Sequence, residues 1–195
     1  MIRAFIDVFP GGVLLSGYGR ELILLGRNAQ NVVFDPDLVA ARLAAHPDVR
    51  RDLESIDLDS LTDLVTTFAG SSERMNAMTY GLLALTDDSP ILEYSQDKLP
   101  EAIIPTDLFG PDEIRGFCPK CVTRRPDMPH IASTVALLEA LYRSDVYRVV
   151  SRTRAVPNRR FRVGGDPAEI RAAWTASRYL RKIIPESALP PLPSK

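Results

Sequence analysis

The 195-residue chain has two histidines, two cysteines and one tryptophan, which leaves little material for several kinds of chemistry. His46 and His130 are far apart and neither lies beside an obvious nucleophile, so acyl transfer through a Ser-His-Asp arrangement has no support. The phosphate-cradling patterns G-x-G-x-x-G and G-x-x-x-x-G-K-[ST] are both missing. So is any run of 18 or more apolar residues, the length a membrane-crossing helix needs. Met1 to Pro10 carries one Arg, one Asp and no small-residue cleavage site, unlike a signal peptide. These features lead us to expect a cytoplasmic chain that is not a complete catalyst.

A net charge of −1 conceals a sharp division. Residues 1–110 hold 8 Lys and Arg against 17 Asp and Glu; residues 111–195 hold 16 against 8. Two such halves attract each other, or the basic half meets an acidic partner.

The coarse pattern is α+β. Ile2, Phe5, Ile6 and Phe9 have helical spacing, and Pro10-Gly11-Gly12 ends that helix. Val13-Leu14-Leu15 and Glu21 to Gly26 flank a glycine-rich turn and read as a β-hairpin. Leu22 to Leu25 is continuously apolar, which predicts a strand covered on both faces, as in a sheet sandwiched by helices. Asp35-Pro36 opens a helix with an N-cap and a proline at its first position. Further short helices are expected from Pro47, from Asp59 or Ser60 through Phe68, and from about Glu73 to Leu85. Residues 96–130, with six prolines from Pro100 to Pro129, read as a linker of little regular structure. An apolar helix is expected from Ile131 to Tyr142. Asp166-Pro167-Ala168-Glu169 has the form of a capping box opening a helix that continues to Ile184. The tail 185–195 holds four prolines and is expected to be extended or disordered.

Three clusters carry possible chemistry. Ser16-Gly17-Tyr18-Gly19-Arg20 is a hairpin turn, or else it presents Tyr18 or Arg20 to a neighbouring site. Cys118 and Cys121 form a C-x-x-C pair, whose two thiolates can share one zinc ion, with His130 as a third ligand nine residues on. A four-ligand structural site would need more, and no second C-x-x-C exists. Asp87, Asp88 and Glu93 can hold a divalent or polyamine-like cation, or form a solvated turn. Arg152 to Arg162 around Phe161, continued by Arg171, Arg178, Arg181 and Lys182 near Trp174 and Tyr179, can contact nucleic acid or dock on the acidic half.

Two segments together resemble a known family. They are Phe5-Ile6-Asp7-Val8-Phe9-Pro10 leading into Gly17-Tyr18-Gly19-Arg20-Glu21-Leu22-Ile23-Leu24-Leu25-Gly26, and Leu85-Thr86-Asp87-Asp88-Ser89-Pro90-Ile91-Leu92-Glu93-Tyr94. Over about residues 1–95 the chain resembles the C-terminal part of spermidine/spermine synthase-like proteins, the polyamine aminopropyltransferases. The resemblance implies the final hairpin of a truncated Rossmann-like sheet. It also implies transfer of an aminopropyl group from decarboxylated S-adenosylmethionine to a diamine such as putrescine. The family's glycine-rich cofactor loop, ribose-binding acid and catalytic Asp-rich loop lie upstream of the matched region and have no counterpart here, so no catalytic or cofactor residue carries over. Tyr18, Arg20, Asp87 and Asp88 are the candidate substrate contacts. Residues 131–184 are then a basic helical extension. The alternatives are a non-enzymatic module that binds a metal or partner through Cys118, Cys121 and the basic helix, and a basic nucleic-acid-binding tail. Self-association, or a missing N-terminal portion, would cover the apolar edge of the hairpin.

Overall fold

A computed structural model describes residues 1–16, 22–28, 31–84, 109–122, 125–143 and 162–192. The fold is α+β, with a small antiparallel sheet among helices. Helix α1 (Ile2–Val8) leads into β1 (Val13–Ser16) and β2 (Leu22–Leu25). Then come α2 (Pro36–Ala45), α3 (Pro47–Ser55), α4 (Leu61–Thr66), β3 (Phe68–Gly70) and α5 (Ser72–Met78). A 3-10 turn at Pro111–Glu113 opens α6 (Ile114–Phe117). The long α7 (Ile131–Arg143), α8 (Pro167–Ala176) and α9 (Arg178–Ile183) follow.

The hairpin forms as its sequence suggests, pairing Val13 with Leu25 through Ser16 with Leu22. Its partner was not foreseen. The expected helix from Ser60 stops at Thr66, and Phe68-Ala69-Gly70 becomes a third strand on the other side of β1. The order is β2-β1-β3, with β1 central. Leu14 faces Gly70 and Leu15 faces Phe68, so β3 accommodates one extra residue, Ala69, as a bulge.

This position decides which strand is covered twice. Leu14 belongs to one apolar cluster, with Ile6, Met75, Leu137, Leu141, Ile170 and Leu180. Val13 and Leu15 face a second, built from Val65, Phe68, Ile114, Phe117 and Met128. The expectation had assigned double coverage to β2, and the structure moves it to β1. On β2 only Leu22 and Leu24 pack inward; Ile23 and Leu25 remain 48% and 43% exposed. A continuous apolar run does not by itself locate the cover, because an edge strand can carry the same residues.

Local chemistry sets the helix ends. The Asp35 carboxylate accepts from the Asp37 and Leu38 N–H groups, and Ser60 and Ser71 cap α4 and α5 in the same manner. Helix α5 ends at Met78, short of the expected Leu85; the Thr79 hydroxyl bonds the Met75 carbonyl there, and Gly81 turns the chain at a φ of 76°. Phe9 packs on Gly26 so closely that a Cβ there would lie 2.5 Å from the ring, which requires glycine. Asp166 caps α8 through the Ala168 N–H, but Glu169 turns away to His130, so the capping box is only half formed.

The helix expected to run unbroken to Ile184 divides at Ser177. Its backbone there is extended, and its hydroxyl accepts from the Leu180 N–H to start α9. The same hydroxyl donates to the buried Asp63 carboxylate, which also accepts from Ser60 Oγ at 2.7 Å. Two residues on, Tyr179 donates to Ser16 Oγ at 3.0 Å. The segment thus gives up a helical turn in order to satisfy a buried charge and a strand-end hydroxyl.

Burial pushes the Asp63 carboxyl above its ordinary value, against the Ser177 and Ser60 hydroxyls that favour its charged form; nearby Asp59 adds to the rise. A carboxyl raised on folding binds its proton more tightly when native. The protein is therefore expected to lose stability as pH climbs from the ordinary value of 3.8 through the raised one. Asp63→Asn should flatten that slope in urea titrations at several pH values. Ser177→Ala should cost about 1–3 kcal/mol at neutral pH by leaving a buried acceptor short of a donor.

Candidate functional site

Among the described residues, polar groups and apolar walls converge at a cleft lined by residues within 112–121 and 125–135 and by Glu169 in the first turn of α8. Its volume is about 1090 Å³. Ile114, Cys121, Met128, Ile131 and Val135 form apolar parts of its wall, and Arg115, His130 and Glu169 line its polar side.

Much of this wall comes from the stretch expected to be an unstructured linker. Residues 109–122 are folded instead. The Gly110 N–H donates to Ala69 O at 2.7 Å, fixing the segment to β3, and a Cβ on Gly110 would collide with the Arg74 guanidinium. Arg74 pairs with Glu113 at 2.6 Å, and Glu113 also accepts from the Ser71 N–H. Burial disfavours the Glu113 charge, but Arg74 and Ser71 outweigh it and hold the carboxyl below its usual value. Phe117 then stacks on Phe68 at 4.9 Å and tilts against Phe34 at 5.8 Å. The prolines that suggested a linker start short turns here: Pro111 and Pro119 each open a 3-10 helix, where the missing N–H costs nothing. The informative signal was the apolar series Phe109, Ile114, Phe117, Cys118 and Cys121, all buried.

Cys118 and Cys121 are joined as a disulfide. This corrects the expectation of a zinc pair completed by His130. The His130 Nδ1 lies 2.9 Å from a Glu169 carboxylate oxygen, and among the described residues no three His, Cys, Asp or Glu side chains converge as a metal site would need. His130 sits just before α7 at a φ of 63°, in the left-handed region, which turns the chain from the cleft floor into the helix.

A charged strap closes the side toward α2. Lys120 reaches Asp35 and Asp37, each at 2.9 Å, and Arg125 reaches Asp37 at 2.7 Å and Asp127 at 2.8 Å. Hydrogen bonds from Arg125 and then Lys120 lower the Asp37 carboxyl to about 2, so the strap remains charged down to strongly acid pH. Farther along, Arg178 pairs with Asp59 and Lys182 with Asp57. The basic half therefore docks on the acidic half through named pairs. Trp174 donates to Ile184 O at 2.8 Å and packs, partly buried, against the first apolar cluster, while Tyr179 is buried and unavailable for stacking a base.

Tyr18 and Arg20, Asp87 and Asp88, and the basic run Arg152 to Arg160 fall outside the described residues. Among the described residues no helix is long and apolar enough to cross a membrane. Compared with known proteins, the chain matches no family model, no curated protein and no solved structure.

Phe117 joins the cleft wall to the sheet. Phe117→Ala should destabilise the protein by about 3–5 kcal/mol in denaturant unfolding. The loss should be larger than for substituting Lys120, whose pairs are solvated and screened by salt.

Proposed function

We propose that this chain is the C-terminal portion of a spermidine synthase-like aminopropyltransferase and has no activity alone. The observation that carries the reading is the outer edge of β2, which has no partner strand among the described residues. This is a four-residue apolar strand with one face packed and the other, Ile23 and Leu25, open to solvent. An apolar edge with free backbone donors and acceptors is a template for another strand. The sequence resemblance says which: the preceding strands of a Rossmann-like sheet, belonging to a unit that supplies the cofactor loop and the catalytic acid. In that arrangement the hairpin turn with Tyr18 and Arg20, and the Asp87-Asp88 pair, are this chain's contribution to the amine site. A carboxylate pair suits a diamine, because two acceptor-only groups match ammonium donors.

The alternative is a non-enzymatic module that binds a metal or partner through the C-x-x-C pair and the basic helix. Both readings predict a chain that is inactive alone, so they separate at the β2 edge, which only the first one needs. Purified chain should show no aminopropyl transfer from decarboxylated S-adenosylmethionine to putrescine, and clear turnover by the chain alone overturns the fragment reading. Ile23→Lys with Leu25→Lys should leave the circular dichroism spectrum intact while abolishing self-association in sedimentation velocity. Unchanged association would show that the β2 face is not the contact.

A further inference from the structure

Three sulfur atoms lie in series beside the cleft, with Cys121 in the middle. Cys121 Sγ is bonded to Cys118 Sγ and lies 3.8 Å from Met128 Sδ. The residues are 4%, 0% and 3% exposed, respectively. A disulfide has no S–H to donate, so the Cys121–Met128 approach is a sulfur–sulfur contact and not a hydrogen bond. We propose that the reduced form of this chain binds one copper(I) ion through Cys118, Cys121 and Met128.

Ligand type selects the metal. Two thiolates and a thioether are soft donors, which favour copper(I); the thioether adds little for zinc, which prefers thiolate, imidazole and carboxylate. No imidazole joins the set, since among the described residues no three His, Cys, Asp or Glu side chains converge. Spacing is also suitable. With metal–sulfur bonds of about 2.3 Å, three sulfurs around a trigonal ion stand about 4 Å apart. Cys121 and Met128 already have that separation, and only the Cys118–Cys121 pair must open from bonding distance.

The ligands are positioned by the surrounding fold. The Cys121 N–H donates to Cys118 O at 3.1 Å, which holds both cysteines in one tight turn. Met128 is fixed by its backbone bridge to Arg125, and Arg125 by Asp37 and Asp127. Ile114, Phe117 and Val135 pack in the same apolar cluster as the three residues. Cys121 and Met128 both line the cleft, which gives an ion its path inward.

The chemistry has two steps. A dithiol reductant gives two electrons and two protons to the Cys118–Cys121 bond, which breaks into two thiols while the reductant becomes a disulfide. Copper(I) then displaces both thiol protons to solvent and keeps its oxidation state. The site does not depend on the aminopropyltransferase reading.

To test it, the folded protein is reduced with a phosphine, desalted under nitrogen and titrated with copper(I) against a chromogenic bidentate chelator. One copper should be retained per chain, with three sulfur neighbours by X-ray absorption, and unreduced protein should retain none. Met128→Leu, which conserves volume and apolarity, should fold normally, lose one sulfur neighbour and weaken copper binding roughly tenfold or more. The proposal is overturned if reduced protein surrenders all its copper, if it prefers zinc, or if Met128→Leu binds as the parent does. It is also overturned if the two thiols cannot be liberated without unfolding.

Discussion

A strand that is apolar on both faces has to be covered twice, and in this molecule that strand is β1. Leu14 points one way and Val13 and Leu15 the other, so helices must approach from two sides. One side is closed by α1, α5, α7 and the C-terminal helices. The other is closed by a short proline-punctuated segment that carries Ile114, Phe117 and the cysteines. The cleft exists because that second cover is made of turns rather than a long helix. Its outer surface is therefore uneven, and its sulfur-bearing residues lie within reach of the opening. Structure and site chemistry share this origin.

Charge has a different role from apolar burial here. The pairs Lys120–Asp37, Arg178–Asp59 and Lys182–Asp57 are exposed enough to be screened, and each adds little stability. They give direction instead, deciding which face of the basic half meets the acidic helices. The costly electrostatic element is Asp63, a carboxylate without exposure that depends on two serine hydroxyls. Removing either donor leaves a buried acceptor unmatched, which is why a single serine at a helix break matters more than several surface lysines.

The elements legible in the sequence were those fixed by local rules. The Asp35-Pro36 and Asp166-Pro167 starts, the hairpin strands and the apolar helix from Ile131 follow from caps and periodicity, and the structure has them where expected. What was not legible depended on partners distant in sequence. Phe68-Ala69-Gly70 is too short for a period of two to show, and it becomes a strand only because β1 offers an edge. Ser177 breaks a continuous helical stripe because Asp63, 114 residues earlier, needs a donor. The cysteines drew attention as a pair, but Met128 did not, since a thioether has no spacing rule that links it to C-x-x-C.

The Tyr179–Ser16 hydrogen bond joins residues 163 apart in the chain. Ile170, Leu180 and Ile184 lie in the same apolar cluster as Leu14 from the first strand. A ribosome adds about 5–20 residues per second, so that cluster waits roughly ten seconds or more for its last wall. During that interval Leu14, Leu22 and Leu24 have only part of their cover. The nascent sheet is then a substrate for chaperones, and a pause in translation before residue 170 would prolong its exposure.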